Sequence, residues 1–112
     1  MSPRTVLPLP ATSFHILLAL MDGPAHGYGI KHVVEERTEG RIRLAAGTLY
    51  EAMQRLARQG MVEDAPAPDD FDGSGRVRFY SITELGATEL RTELARLEQD
   101  VAFARARIPA ER

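Results

Sequence analysis

The chain has 112 residues, carries 14 Lys+Arg against 16 Asp+Glu, is 44% hydrophobic and contains neither cysteine nor tryptophan. That composition fits one soluble domain with a single core, and the missing cysteines exclude a disulfide scaffold, a thiolate zinc site and a cysteine nucleophile. The longest apolar run, Ile16 to Met21, falls far short of the ~20 residues that cross a bilayer. Because the proline-bearing N-terminus also lacks the apolar core of a secretory signal, a cytoplasmic location with no membrane partner is expected.

A formal net charge of −2 speaks against indiscriminate polyanion binding, yet every cation but Lys31 is arginine. Arginine's planar fork suits phosphates and guanine edges. The charges are also segregated. Lys31, Arg37, Arg41, Arg43, Arg55 and Arg58 precede a stretch crowded with Glu63, Asp64, Asp69, Asp70 and Asp72.

Pro3, Pro8 and Pro10 predict an irregular arm over residues 1–11, since proline removes a donor and discourages helix. From Thr12 or Ser13, read as N-caps, Phe14, Leu17, Leu18 and Met21 recur at helical spacing. Ile16 and Leu20 lie on the opposite side, so this first helix is apolar on two faces and asks for two burial surfaces. Asp22-Gly23-Pro24 stops it, and a second helix runs from near His26-Gly27 through Ile30, Val33, Val34 and Arg37 to Gly40. Ile42-Arg43-Leu44 alternates like a short strand. Ala45-Ala46-Gly47-Thr48 then opens a third helix that Gly60 ends, with Leu49, Ala52, Met53 and Leu56 inward. Thr48, Glu51, Gln54, Arg55 and Arg58 fall on its far side, with Tyr50 on the shoulder.

Met61 to Glu63 and Val77 to Ile82 read as hairpin strands around a Pro-, Asp- and Gly-rich loop from Ala65 to Gly75. Thr83 caps a last helix in which Ala87, Leu90, Leu94, Leu97, Val101, Ala104 and Ile108 recur in steps of three and four before Pro109. At about 25 residues it is ~37 Å long. The expected fold is mainly α with a small antiparallel sheet. It divides into the arm 1–11, a winged helix-turn-helix over 12–82, a long C-terminal dimerisation helix over 83–108 and a tail, 109–112. The two-faced first helix and the heptad seam of the last predict a homodimer through Ile16, Leu20, Leu90, Leu94, Leu97, Val101 and Ile108. A simple parallel coiled coil is disfavoured, because it opposes Glu93 to Glu98.

Nothing in the sequence carries catalysis. His15, His26 and His32 lack metal-ligand spacing, and there is no P-loop, dinucleotide fingerprint or Gly-x-Ser-x-Gly elbow. Glu35 and Glu36 are adjacent and point to different sides of a helix, a poor acid–base pair. No enzyme, cofactor or metal is expected.

Three motifs stand in order: Leu20-Met21-Asp22-Gly23-Pro24-Ala25-His26-Gly27-Tyr28-Gly29-Ile30, Gly47-Thr48-Leu49-Tyr50 with Arg55-Leu56, and Tyr80-Ser81-Ile82-Thr83-Glu84-Leu85-Gly86. Together they closely resemble the PadR family of bacterial transcriptional regulators, over about Phe14 to Ile108, and the single C-terminal helix resembles its short subfamily. Gly29 departs from the bulkier residue of many relatives. The resemblance implies a dimeric winged-helix repressor of double-stranded DNA, with regulation by a small apolar effector held between protomers.

Within that frame the residues divide by chemistry. Gly47, Thr48 and Tyr50 bring little bulk, a hydroxyl, free amides and a hydrogen-bonding ring to a helix N-terminus, against the plainer reading of a cap with a half-buried tyrosine. Gln54 and Arg55 are types that read adenine and guanine edges, and Arg58 suits a phosphate. Tyr28 at the second helix is read as a DNA-backbone contact against the plainer reading of a tight turn, Arg76 and Arg78 on the hairpin as reaching the backbone or a minor groove, and His26 as a capping residue. Two-fold symmetry calls for a palindromic operator. The rival class is a winged-helix protein-interaction module without DNA binding, which the acidic balance favours and the Arg-rich third helix opposes.

Overall fold

The computed structural model describes residues 9–69, 71 and 77–110. In chain order it contains α1 (Ala11–Ala19), a 3-10 turn (Leu20–Asp22), β1 (Ala25–His26), α2 (Gly27–Arg37), α3 (Ala46–Arg58), β2 (Val62–Ala65), β3 (Phe79–Ile82) and α4 (Glu84–Arg107). The strands form one antiparallel sheet in the order β1-β3-β2. Val62 pairs with Ile82 and Asp64 with Tyr80, while Ala25 pairs with Tyr80 and His26 with Phe79 across the other edge of β3.

α1 starts two to three residues earlier than the caps read from the sequence. Pro10 occupies the cap position, and its carbonyl accepts from Phe14 N–H at 2.9 Å. A proline there gives up no helical hydrogen bond. Ser13 is instead buried inside the chain beside Ile16, Leu17 and Leu20. The inward stripe is therefore 13, 16, 17 and 20, while Phe14 and Leu18 are half-buried and Met21 is exposed. This reverses the expected faces. Ile16 and Leu20 are at most 1% exposed and Leu90 is 3% exposed, so all three belong to the chain's own core and cannot serve a partner.

The strand expected at Ile42–Leu44 is also corrected. Those residues are irregular: Leu44 is buried, Ile42 packs against the core, and Ile42 N–H donates to Thr38 Oγ1 at 3.1 Å. Alternation marks which side chains point inward, but a strand needs a free ladder edge. Both edges of β3 are taken, one by β2 and the other by Ala25–His26. Positive φ at Glu39 (55°) and Gly40 (80°) then turns the chain out of α2, as the sequence places Gly40 at its end.

The junction of β3 with α4 explains the third motif. Thr83 N–H donates to the Met61 carbonyl at 3.0 Å, Thr83 Oγ1 donates to the Gly60 carbonyl at 2.6 Å, and Gly86 N–H donates back to Thr83 Oγ1 at 3.0 Å. One threonine both caps α4 and ties it to the turn after α3.

Glu93, on α4, folds inward rather than flanking a seam, and it is 4% exposed. Its carboxylate accepts from Arg96 Nη2 at 2.5 Å and from Leu9 N–H at 3.3 Å. Leu9 is itself part of the core, so the end of the arm is pinned to α4. The Arg96 hydrogen bond holds the Glu93 carboxyl below the ordinary glutamate range; burial opposes this and the Leu9 amide adds to it. A depressed carboxyl contributes stability above its unfolded pKa and loses it as pH falls through the folded value. The thermal stability of the parent should therefore fall as pH drops below the ordinary glutamate range. Glu93→Gln should flatten that limb of the curve; an equally steep acid limb in the variant would rule this carboxyl out as a cause.

Candidate nucleic-acid interface

The N-terminus of α2, the outward face of α3 and the β2–β3 wing meet on one side of the body. Tyr28, Lys31, Leu49, Tyr50, Val77 and Arg78 border an open cleft there of about 710 Å³. A second groove, of about 410 Å³, runs between α3 and the wing past Tyr50, Gln54, Arg58, Asp64 and Arg78. Tyr50 and Arg78 belong to both, so the two depressions form one continuous surface.

α3 lines this surface along its length and brings its N-terminus to it. It starts without a side-chain cap, and its ladder opens with Leu49 N–H on the Ala45 carbonyl at 2.9 Å. Helix geometry leaves the amides of Ala46, Gly47 and Thr48 to solvent or a ligand, and all three residues are exposed. A Cβ at Gly47 would meet nothing within 4 Å. Packing inside the chain therefore does not require glycine at this position, which leaves room for close approach from outside. The other two helices with hydroxyl or imidazole caps differ: Thr83 caps α4, and His26 Nδ1 accepts from Gly29 N–H at 3.0 Å. The capping role read for His26 thus stands, and its ring also packs on Phe79 at 5.1 Å and stacks beside Tyr28 at 6.4 Å.

On the exposed side of α3, Tyr50 is 57% exposed. It faces outward rather than lying on the shoulder. Gln54 Nε2 donates to Tyr50 Oη at 3.1 Å, which orients the amide and leaves its second proton and its carbonyl oxygen free. That remaining pair has the donor–acceptor pattern that meets an adenine edge. Arg58 lies further along the same groove. Arg55 is only half exposed and does not line either depression.

Tyr28 is 74% exposed at the start of α2. Lys31, one turn on, was not singled out from the sequence; its spacing from Tyr28 is the signal that places both on the same face. On the wing, Arg78 Nη2 donates to Asp64 Oδ1 at 2.8 Å and Oδ2 at 3.1 Å, and its guanidinium lies 5.6 Å from the Tyr80 ring. The hydrogen bond to Asp64, more than any other neighbour, raises the Arg78 pKa above its ordinary value. This pairing was invisible in the sequence, because the long loop hides the register of the hairpin. Arg76 lies outside the described residues. Among the described residues no cluster of metal-ligating side chains occurs, and no helix is long and apolar enough to cross a membrane.

The sequence profile of the transcriptional regulator PadR-like family matches residues 16–92. The chain belongs to this family. Its three PadR-like motifs fall at the β1–α2 turn, the N-terminus of α3 and the β3–α4 junction. A transcriptional regulator from Clostridium thermocellum has a similar structure, with TM-score 0.71 and 21% identity, covering 88% of this chain and 90% of that one. PadR of Bacillus subtilis, solved in complex with operator DNA, gives 0.65 at 21% identity over 76% of this chain and 47% of that one. A PadR-like regulator from Bacillus cereus gives 0.72 at 14% identity, covering 88% and 92%. At these identities the likeness establishes the fold. An uncharacterised 37.1 kDa protein of transposon Tn4556 from Streptomyces fradiae is 36% identical over 78 residues, 70% of this chain. The chain spans 20% of that relative's length.

Proposed function

We propose that this PadR-like chain is a dimeric repressor that binds a palindromic operator, with α3 in the major groove and the wing against the flanking backbone. The observation that carries the reading is the uncapped N-terminus of α3, continuous on one exposed face with the Tyr50–Gln54 pair and Arg58. Free amides suit a phosphate and the oriented glutamine suits a base edge. Thr48, Tyr28, Arg58 and Arg78 are assigned to the backbone and Gln54 to the bases; Arg55, half-buried on the other flank, takes a lesser share.

The second protomer is assigned to the apolar faces that the chain leaves open. Leu94 and Val101 on α4 and Ile108 at its C-cap are 39%, 50% and 65% exposed, and Phe103, absent from the predicted seam, is 61% exposed. On α1 the half-buried Phe14 and Leu18, with Met21, take the place expected of Ile16 and Leu20. A small apolar effector between protomers would sit against the same faces.

Selection from random duplexes should return inverted repeats with half-sites about one helical turn, ~10 bp, or a multiple apart. Affinity should fall steeply between roughly 50 and 200 mM salt as counterions are released. Gln54→Ala should cost ~1–3 kcal/mol on the selected site and relax preference at one base pair per half-site. Arg58→Ala should weaken selected and scrambled duplexes alike, since phosphate contacts carry no sequence information. Fluorescence anisotropy on both duplexes separates these effects. Flat salt dependence with no selected sequence would instead favour a protein-interaction module.

A further inference from the structure

One cation on the face assigned to DNA is already engaged within the chain. Asp64 sits opposite Tyr80 in the β2–β3 ladder, and Arg78 precedes Tyr80 by two residues. Side chains alternate along a strand, so all three fall on one face of the wing. Arg78 Nη2 lies 2.8 and 3.1 Å from the two Asp64 carboxylate oxygens, with its guanidinium 5.6 Å from the Tyr80 ring. A carboxylate held in this manner takes the donor that a phosphate oxygen would take. Yet the pair is open to solvent: the two side chains are 64% and 68% exposed. Solvated ion pairs of this kind are weak enough to exchange partners.

We propose that Asp64 is a built-in stand-in for a DNA phosphate, which keeps Arg78 poised on the wing and must be displaced before the wing engages the backbone. This rests on the DNA-binding reading above and deepens it by naming the residue that limits the wing's affinity. In the free protein Arg78 is oriented by its acidic partner and its charge is compensated. On DNA the displaced carboxylate stays close to the phosphates and opposes the contact that Arg78 makes. The wing therefore contributes less affinity than a free arginine would.

Asp64→Asn removes the charge while keeping the shape and one acceptor oxygen. By anisotropy it should bind about threefold more tightly per half-site, the order that a solvated ion pair is worth. The gain should be equal on selected and scrambled duplexes, and the salt slope should steepen by about one per protomer. In an Arg78→Ala background the gain should shrink to that of charge removal alone, the size expected of Glu63→Gln. Glu63→Gln, which removes the same charge one residue away and outside the pair, should give a smaller gain; thermal melts of each variant check the fold. The inference is overturned if Asp64→Asn binds no more tightly than the parent, if the full gain survives without Arg78, or if Glu63→Gln matches it. In each of those cases the parent still binds its site, so the DNA reading stands. A parent chain that selects no DNA overturns that reading and this inference with it.

Discussion

A chain carrying Leu97→Asp is expected to be monomeric at micromolar concentration and to lose nearly all affinity for its operator. α4 spans Glu84–Arg107, 24 residues, or ~36 Å of helix. Its first three turns dock on the body through Gly86, Leu90 and Glu93, whereas over residues 98–110 every residue but Ala104 is exposed. The exposed half nonetheless carries Val101, Phe103 and Ile108. Apolar side chains at that density on a projecting helix are stabilised by burial against another surface, since short-range propensity alone is marginal. Leu97 is half-buried where α4 leaves the body. An aspartate there would leave an uncompensated charge in a dry interface, a loss of several kcal/mol. On the proposed dimeric reading the two half-sites are then bound by separate molecules, and the bivalent gain of ~10²–10⁴ disappears as well. Val101→Asp is the companion variant; Val101 is 50% exposed, so the charge is tolerated by the isolated chain and acts through the interface. Sedimentation velocity and anisotropy together read both effects. A parent chain that sediments as a monomer at the same concentration would sink the dimer assignment.

Gly86→Ala should destabilise the fold more than any surface change. A Cβ at Gly86 would overlap the Met61 carbonyl oxygen and lie 2.8 Å from Ile82 Cγ1. The first obstacle is backbone, and that backbone is fixed by the Thr83 N–H bond to the same carbonyl. No side-chain rotation relieves it. Overpacking of this sort costs about 3 kcal/mol, which at ~4–8 °C per kcal/mol lowers Tm on the order of 15 °C. The comparison must be made at equal protomer concentration, because any self-association would add to apparent stability. Gly47→Ala is the control, since its Cβ would meet nothing within 4 Å and its Tm should hold or rise slightly as helix propensity improves. If Gly86→Ala melts with the parent, the α4 start has more freedom than its contacts allow, and the junction does not determine where α4 points.

Much of the architecture was legible in the sequence because it rests on local rules. Hydrophobic period determined that α2, α3 and α4 are helices and which face of α3 is inward: Leu49, Ala52, Met53 and Leu56 are all buried. Caps and glycines determined their ends, as with His26, Thr83, Gly40 and Gly60. The three motifs were sufficient to identify the PadR-like family that the profile match establishes.

What the sequence did not determine are the places where two surfaces compete for one partner. α1 is apolar on two faces, so its period permits either face to turn inward; only the packing of α2, α3 and α4 around it selected Ile16 and Leu20 for the core. Ile42–Leu44 has the alternation of a strand, but strand formation depends on a vacant edge, and Ala25–His26 occupies it. The Asp64–Arg78 pair depends on a register set across a long loop, and Glu93 turns inward because Leu9 and Arg96, distant and near in sequence, meet it together. Periodicity specifies how a segment presents its side chains, while the choice among partners is a comparison of free energies over the whole chain, and that comparison is made only in the tertiary structure.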